Sequence, residues 1–363
     1  MSFTHNKIYR WIKSIDWIFS LKVRLTDSDY ILGRKAAKAA KKSKGEIRLE
    51  LYSIRKYWGV SPDLYYRYRL FDIPLSREQL LDYIPKIHFY TKYYKDTYSG
   101  EQLRLYGNKL SLYKEFKRLG VPTPEVLGVI CHGKVCNADM TACISAVDNE
   151  FEPGEEVFLK PVDGKGGSGI VVAKKLDSGA WETADKKCTF DELVGFLPRS
   201  SDYVIQKRLV QRHDLSLVNP SCINTLRVIM QWRDGKPYIA VAVLRMGRNN
   251  SFVDNSAKGG ISVRIDEMTG KMFPLAHSEH GLETLDRHPD TGYVFKDGEI
   301  ADWDSIRHEI EKHSAKFTSL KEWAWDVAVT EEGVCMIELN LEYGIEHLQS
   351  CCGGMRKVLN VYP

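Results

Sequence analysis

The chain lacks the features that mark secreted, membrane-spanning or zinc-finger proteins. Its eight cysteines are scattered, with no Cys-x-x-Cys pair and no histidines at zinc-ligand spacing, which excludes a disulfide scaffold and a zinc framework. No stretch of about 18 consecutive apolar residues occurs. Lys13, Asp16 and Lys22 interrupt the apolar residues near the start, so no signal-peptide core is present. We expect a cytoplasmic protein with reduced thiols.

The chain also lacks an excess of charge of either sign. Lys and Arg number 52 against 48 Asp and Glu, and a net charge of +4 gives no indication of nucleic-acid binding. With 43% hydrophobic residues, the composition is that of an ordinary globular protein that can bury a core. Its 363 residues predict two or three domains, each of roughly 100 to 200 residues.

The composition and local patterns of the sequence divide it into three regions. Residues 1–105 are rich in tryptophan, tyrosine and helix-forming Lys/Ala segments, and Ser76 begins a helix-capping pattern, so this region is predicted to be mainly helical. Residues 106–207 begin with the helix LSLYKEFKRLG, which Gly120 ends, and continue into short β-rich stretches. Residues 208–363 are predicted to form the larger lobe.

Antiparallel hairpins recur in the second and third regions, which predicts the α+β class. Each pairs two β-rich stretches across a turn-forming segment. The four predicted pairs are VFLKP with GIVVAKK, INTLRVIMQW with PYIAVAVLRM, YVFK with EIADW, and WDVAVT with VCMIELN.

The segment FLKPVDGKGGSGIVVAKK is typical of a phosphate-binding loop. Lys160 ends an apolar strand, and the small residues Gly166, Gly167 and Ser168 allow backbone amides to approach phosphates closely. A strand rather than a helix follows the glycines, which argues against a dinucleotide fold, and no Walker A motif occurs. An ordinary glycine-rich hairpin is the alternative.

A protein-kinase interpretation fails on distances. Asp214 and Asn219 in RHDLSLVN have the spacing of a kinase catalytic loop, and Lys174 follows a glycine loop. However, Lys174 lies on the strand that leaves the loop, and too few residues separate it from Asp214. No DFG or APE motif follows.

The segment WAWDVAVTEEGVCMIELN predicts a metal site. If Glu331, Glu332 and Gly333 form the loop, Thr330 pairs with Val334, and Asp326 lies opposite Glu338. Asn340 then shares the face of Glu338, because alternate residues of a strand point the same way. Two carboxylates and an amide oxygen suit Mg²⁺, and a solvated polar face is the alternative.

In their order, these motifs resemble the ATP-grasp superfamily. The likeness rests on Lys109 in YGNKLSLYKEFKRLGVPTPE, on FLKPVDGKGGSG, on the hinge strand YVIQKRLVQ, and on the terminal Asp326 followed by Glu-x-Asn. Within that superfamily, CINTLRV, VDNSAKGGI, IADW and IELNLEYGIEHLQ are most similar to the sugar-transfer-associated ATP-grasp proteins. The resemblance implies two α+β lobes that grip ATP, preceded here by the helical region.

The resemblance also implies roles for individual residues. Lys109 and Lys160 would hold the α- and β-phosphates, and Gly166, Gly167 and Ser168 would cover the β- and γ-phosphates. Gln206 and the backbone of Lys207 and Leu209 would meet adenine, and Asp214 or His213 the ribose. Arg227 would reach the γ-phosphate with Asn255 nearby, and Mg²⁺ would bind Asp326, Glu338 and Asn340. For Arg227 the alternative is a structural arginine paired across the sheet.

The activity implied is that of an ATP-dependent ligase. A carboxylate would attack the γ-phosphate to give an acyl phosphate, and an amine or thiol would then attack its acyl carbon and displace phosphate. Amine attack forms a C–N bond, in a pathway such as cell-surface polysaccharide biosynthesis. The partners are small molecules and not nucleic acid. Two alternatives are a kinase on the same fold that phosphorylates a hydroxyl, and a non-catalytic nucleotide-binding module.

The N-terminal residues support a second interpretation besides a packed helical subdomain. Trp11, Trp17 and their apolar neighbours lie beside lysines, and a lysine cluster follows over residues 35–44. Such a segment could rest on the inner, anionic face of a membrane. A solvated lysine face on a packed subdomain is the commoner arrangement and is preferred here.

Overall fold

The computed structural model describes residues 20–144, 147–164, 166–279 and 283–363. Trp11 and Trp17, on which part of the membrane interpretation depends, lie outside the described residues. Within them, no helix is both long enough and apolar enough to cross a membrane. The described chain forms a helical region followed by two β-sheets.

The N-terminal region is helical, as the sequence predicts. Serine residues begin several helices with a complete capping box, in which side chain and backbone satisfy each other's hydrogen bonds. Ser76 is one of them. The helices are α1 (Ser28–Ala36), α2 (Lys44–Trp58), α3 (Leu64–Arg67), α4 (Arg77–Leu81), α5 (Lys86–His88), α6 (Tyr94–Thr97), α7 (Gly100–Gly107) and α8 (Lys109–Leu119). A π-helical turn, Phe89–Tyr93, links α5 to α6.

The first sheet carries the glycine-rich loop between two of its central strands. Its strands are β1 (Gly128–Cys131), β2 (Lys134–Cys136), β3 (Glu156–Pro161), β4 (Val171–Lys175), β5 (Trp181–Glu182), β6 (Lys187–Cys188) and β7 (Tyr203–Lys207). The strand order is β2-β1-β7-β3-β4-β5-β6, and each neighbouring pair is antiparallel. Val157, Leu159 and Ile205 point to a core around the fully buried Trp181, under helix α9 (Phe190–Gly195).

The second sheet is larger and is also antiparallel. It follows helix α10 (His213–Val218) and comprises β8 (Thr225–Arg233), β9 (Lys236–Met246), β10 (Ile261–Ile265), β11 (Met272–Ser278), β12 (Thr284–Leu285), β13 (Glu322–Thr330) and β14 (Gly333–Asn340). The order is β12-β11-β10-β9-β8-β13-β14. Helix α11 (Trp303–Ser314) precedes β13, and helix α12 (Ile345–Cys352) follows β14.

Three of the four predicted hairpins are confirmed: β3 with β4, β8 with β9, and β13 with β14. The pairing of YVFK with EIADW is wrong. Phe295–Asp297 forms a 3₁₀ turn, while Val294 bridges to Arg287 and Glu299 bridges to Lys271. The physical reason is burial. Phe295 is fully enclosed in the core, and the chain forms a turn there instead of an extended strand.

The two faces of the second sheet are covered differently. One face packs against Ile306 and Ile310 of α11. On the other face, Ile229, Val243 and Ala324 pack against the N-terminal helices. Further along the same strands this face becomes polar and turns toward the glycine loop. The helical region therefore covers the apolar end of the face and leaves the polar end free for a site.

Candidate functional site

The acidic hairpin reaches its predicted pairing by a different route. Thr330 pairs with Gly333 rather than with Val334, so the loop has one residue fewer than predicted. A β-bulge at Ile337 then shifts the register by one and sets Asp326 opposite Glu338. The prediction that these two carboxylates oppose each other is confirmed.

Asp326 lies in a buried network of charges. Its cross-strand partner is Arg227, whose Nε and Nη2 donate to the two carboxylate oxygens at 2.7 and 2.6 Å. Arg245 Nη1 donates to the Oδ2 oxygen at 3.1 Å, and Asn340 Nδ2 lies 3.3 Å from it. Burial alone would raise the pKa of Asp326, but the two guanidinium groups outweigh burial and hold that pKa at about 2. Arg227 thus has the cross-strand partner that its structural alternative predicted.

Two members of this network were not found from the sequence. Arg245 is only 7% exposed and also donates through Nη2 to Asp254 at 3.3 Å. Asp254 accepts a hydrogen bond from the Thr225 hydroxyl, and burial raises the pKa of its carboxyl despite the nearby Arg245. The available signal was an arginine near the end of the otherwise apolar strand PYIAVAVLRM. Such an arginine needs a buried carboxylate partner.

The predicted lysines approach from the first sheet and from α8. Lys160 alternates with the buried residues of β3 and so points away from their core, toward the second sheet. Lys109 is the first residue of α8; its ammonium donates to the Gly164 carbonyl and lies 3.6 Å from Glu338 Oε1. Both cations therefore face the acidic hairpin across a gap.

The glycine loop is held against the second sheet. Gly166 and Gly167 have φ values of +63° and +68°, which glycine adopts far more readily than other residues. Asn255 Nδ2 donates to the Gly166 carbonyl, and Lys258 Nζ donates to the Gly167 carbonyl at 2.8 Å. A Cβ atom added at Gly166 would lie 2.9 Å from Asn255 Nδ2, so a larger residue would displace that amide as well as strain the positive-φ backbone.

The hinge strand β7 presents an unpaired backbone edge. The Asp202 carbonyl and the Arg208 N–H both form hydrogen bonds with the β3 side. The backbone groups of even-numbered residues of β7 therefore face β3, and those of odd-numbered residues face β1. The pairing with β1 ends at Ile205. In the described part of the chain, the backbone groups of Lys207 therefore lie beyond the end of β1 without a strand partner, which leaves a donor and an acceptor for a planar ligand.

The space between the sheets is a cleft of about 410 Å³. Most of the residues singled out from the sequence line it: Lys109, Lys160, Gly166, Gly167, Ser168, Gln206, Lys207, Leu209, Arg227, Asn255, Asp326, Glu338 and Asn340. Asp214 and His213 are not among the lining residues. The Asp214 carboxylate instead accepts two hydrogen bonds of 2.8 Å from Arg212.

The predicted metal ligands differ in how much they are already engaged. Among the described residues, no three or more His, Cys, Asp or Glu side chains are grouped as a metal site. The oxygens of Asp326 already accept from two arginines and an amide. Glu338 has longer contacts with the described residues, 3.6 Å to Lys109 and 3.5 Å to Asn340. Of the three predicted ligands, Glu338 and the amide oxygen of Asn340 are therefore the least engaged.

The charge of Lys160 gives a prediction for pH dependence. Burial, with Lys109 nearby, lowers the pKa of Lys160 to about 8, so the ammonium loses its proton above that pH. We expect the affinity for a Mg²⁺-nucleotide to fall as pH rises through about 8, by up to about tenfold per pH unit. Calorimetric titration with ADP measures it. Lys160→Arg should abolish the step, because a guanidinium stays charged; an unchanged step would show that another group titrates.

The sequence matches one protein-family model, described as sugar-transfer associated ATP-grasp, over residues 88–360. No match was found among curated proteins.

Solved structures with some likeness include D-alanyl-alanine synthetase A from Vibrio cholerae, at 11% identity and a TM-score of 0.38, over 70% of this chain and 63% of that one. An L-amino acid ligase from Bacillus licheniformis has 10% identity and a TM-score of 0.37, over 68% and 43%. The biotin carboxylase domain of Hydrogenobacter thermophilus 2-oxoglutarate carboxylase has 14% identity and a TM-score of 0.36, over 68% and 42%. The chain thus spans less than two thirds of each, and likeness at this level does not indicate a substrate.

The family match extends from the end of the helical region through both sheets and includes all the residues that line the cleft. The chain belongs to the sugar-transfer associated ATP-grasp family.

Proposed function

We propose that the protein is an ATP- and Mg²⁺-dependent ligase that joins a carboxylate to an amine or thiol through an acyl phosphate. The observation that carries this proposal is one cleft with two kinds of lining. Lys109, Lys160 and the glycine loop lie on one side, and the oxygen donors Glu338 and Asn340 lie on the other with Arg227. We further propose that residues 106–207 and 208–363 are the two lobes of this machinery.

The lining fits a nucleotide triphosphate. Lys109 and Lys160 are cations on the side where the phosphates would lie, and the pKa of Lys160 leaves its ammonium mostly charged at neutral pH. The backbone amides of a positive-φ glycine loop can add further donors. At the far end, the unpaired backbone edge of β7 suits a base, and Gln206 lies beside it.

The oxygen donors fit a divalent cation in part. Glu338 and the Asn340 amide oxygen would hold it, and Asp326 would join them only by giving up an arginine contact. A bound Mg²⁺ supplies charge neutralisation of the triphosphate. Binding sites that need only a few protein oxygens are typical of this ion.

The double pairing of Asp326 suggests separate roles for the two arginines. Both arginines line the cleft, but among the described residues Arg227 is paired with Asp326 alone and would turn toward a phosphoryl group. Arg245 is tied to both Asp326 and Asp254 and would keep Asp326 in place meanwhile. In the first step the substrate carboxylate must approach the γ-phosphate, and the two negative groups repel each other. Positioned cations reduce this repulsion, and no side-chain nucleophile is needed.

The proposed reaction has two steps, and each forms one bond and breaks another. A carboxylate oxygen of the substrate forms a bond to the γ-phosphorus, and the bond to the β-bridging oxygen breaks, which releases ADP. The nucleophile then bonds to the acyl carbon, phosphate leaves with its bridging oxygen, and an amine gives up a proton. The family's description as sugar-transfer associated favours a substrate from cell-surface glycan synthesis.

Trapping with hydroxylamine tests this reaction. A panel of carboxylic acids is incubated with the protein, Mg²⁺-ATP and hydroxylamine, and we expect ADP release coupled to formation of a hydroxamate for the acid that is a substrate. Phosphorylation of an alcohol without hydroxamate would establish the kinase instead. If the unaltered protein released ADP no faster than the Lys160→Met variant with every acid tested, a non-catalytic nucleotide-binding module would be favoured.

A further inference from the structure

Helix α2 has one face that the fold does not use. The helix is well specified at both ends, by the capping box of Ser43 and by Gly59 in the left-handed conformation. Its inner side contributes Ile54 and Trp58 to the core of the N-terminal region. Its opposite side faces outward along the whole length of the helix.

The outer side combines large apolar residues with unpaired cations. Leu49 and Tyr52 are 65% and 60% exposed and, being three residues apart, are neighbours on the helix surface. Around them lie four exposed basic side chains, which with Leu49 and Tyr52 form what we term the basic face: Lys44, Arg48, Arg55 and Lys56. None of these four cations forms an ion pair with another described residue.

The acidic residues of α2 do not neutralise the basic face. Glu46 accepts the Ser43 backbone N–H at 2.7 Å as part of the cap. Glu50 accepts hydrogen bonds from Lys42 at 2.8 Å and from the hydroxyl of Tyr65, which is buried. Both carboxylates are therefore used within the fold. The preceding segment adds exposed Lys38 and Lys41.

We propose that the basic face of α2 binds an anionic lipid bilayer surface. Water alone accounts for the cations but gives the neighbouring Leu49 and Tyr52 in their midst no apolar environment. A soluble polyanion would also leave the two apolar side chains unexplained. A bilayer with anionic headgroups accommodates both, because cations lie at headgroup level while apolar and aromatic side chains enter the interface.

The charge sets the expected strength. Each cation close to an anionic membrane strengthens binding about fivefold, so reversing three charges should weaken binding by at least about a hundredfold. The attraction is screened by salt. The apolar pair adds a contribution that salt does not screen, so loss of that pair should weaken binding at every salt concentration.

Vesicle cosedimentation of the full chain tests the proposal. Phosphatidylcholine vesicles with and without phosphatidylserine are compared at low and high salt, and we expect pelleting only with phosphatidylserine and less of it in high salt. One variant carries Arg48→Glu, Arg55→Glu and Lys56→Glu, and a second carries Leu49→Ser and Tyr52→Ser. The matched control reverses three exposed lysines elsewhere, Lys134, Lys236 and Lys271. Circular dichroism confirms that each variant is folded.

Loss of pelleting in both α2 variants, with the control like the unaltered protein, supports the proposal. Absence of pelleting of the unaltered protein overturns it, and so does equal pelleting with phosphatidylcholine alone. Equal binding by the α2 variants and the unaltered protein would assign any membrane contact to another part of the chain and would also overturn it. Binding of heparin without binding of vesicles would identify a polyanion site instead. None of these results depends on the ligase activity.

Discussion

Replacing Glu338 by glutamine is expected to lower the rate of ATP turnover by about a hundredfold or more, with little change in the melting temperature. Glu338 is only loosely engaged in the fold, at 3.6 Å from Lys109 and 3.5 Å from Asn340. Its charge therefore contributes little to folding. In the proposed reaction the same charge holds the divalent ion, so glutamine removes a function while preserving the shape.

The Mg²⁺ dependence separates this role from a general loss of activity. We expect the Glu338→Gln variant to need a higher Mg²⁺ concentration for half-maximal ADP release, measured with a coupled assay. Glu332→Gln is the matched control, since Glu332 lies exposed in the turn of the same hairpin. Wild-type turnover with an unchanged Mg²⁺ requirement in the Glu338 variant would remove this residue from the site.

Replacing Arg245 by methionine is expected to destabilise the protein by about 3 to 5 kcal/mol, because it leaves the largely buried Asp254 without its paired cation and Asp326 with only one of its two arginines. Arg245 bonds Asp326 at 3.1 Å and Asp254 at 3.3 Å. The methionine fills most of the same space but carries no charge. Denaturant titration gives the free energy of unfolding, and thermal melting gives the corresponding drop in Tm.

A double substitution shows whether charge is the cause. Asp254→Asn removes the carboxylate that Arg245→Met leaves without its paired cation, so the Arg245→Met and Asp254→Asn pair should be less destabilised than the sum of the single variants. Arg245→Lys should retain part of the stability, because it keeps the charge without the two-pronged geometry. Additive effects would mean that Arg245 contributes only packing.

The glycine loop and the acidic hairpin could be located from local patterns. Lys160 precedes its loop in an alternating strand, and Asp326 is followed at fixed distance by Glu-x-Asn. These patterns involve residues that are close in the sequence, so they can be recognised without knowledge of the fold. The pairing of Asp326 with Glu338 was also predictable, although the shorter loop and the bulge at Ile337 that compensate for each other were not.

The buried partners could not be predicted in the same way. Pairing of β9 with β8 and of β8 with β13 brings Arg245 beside Asp326. Asp254 lies between β9 and β10 and is held there by Thr225 and Arg245, so these contacts depend on the sheet and not on spacing. The family resemblance implied a ribose contact for Asp214 or His213, and the structure shows the Asp214 carboxylate bonded to Arg212, outside the cleft lining. The predicted hairpin between YVFK and EIADW does not form, because Phe295 is buried in the core.

By itself the sequence determined the α+β class, the helical first region and the two sets of residues that meet at the cleft. Only the tertiary structure decided that Asp326 is held by two arginines, and that the helical region covers one end of the sheet face and leaves the other end polar. The reason is physical. Periodicity and turn chemistry act between neighbours in the chain, whereas the partner of a buried charge is set by which strands pack side by side.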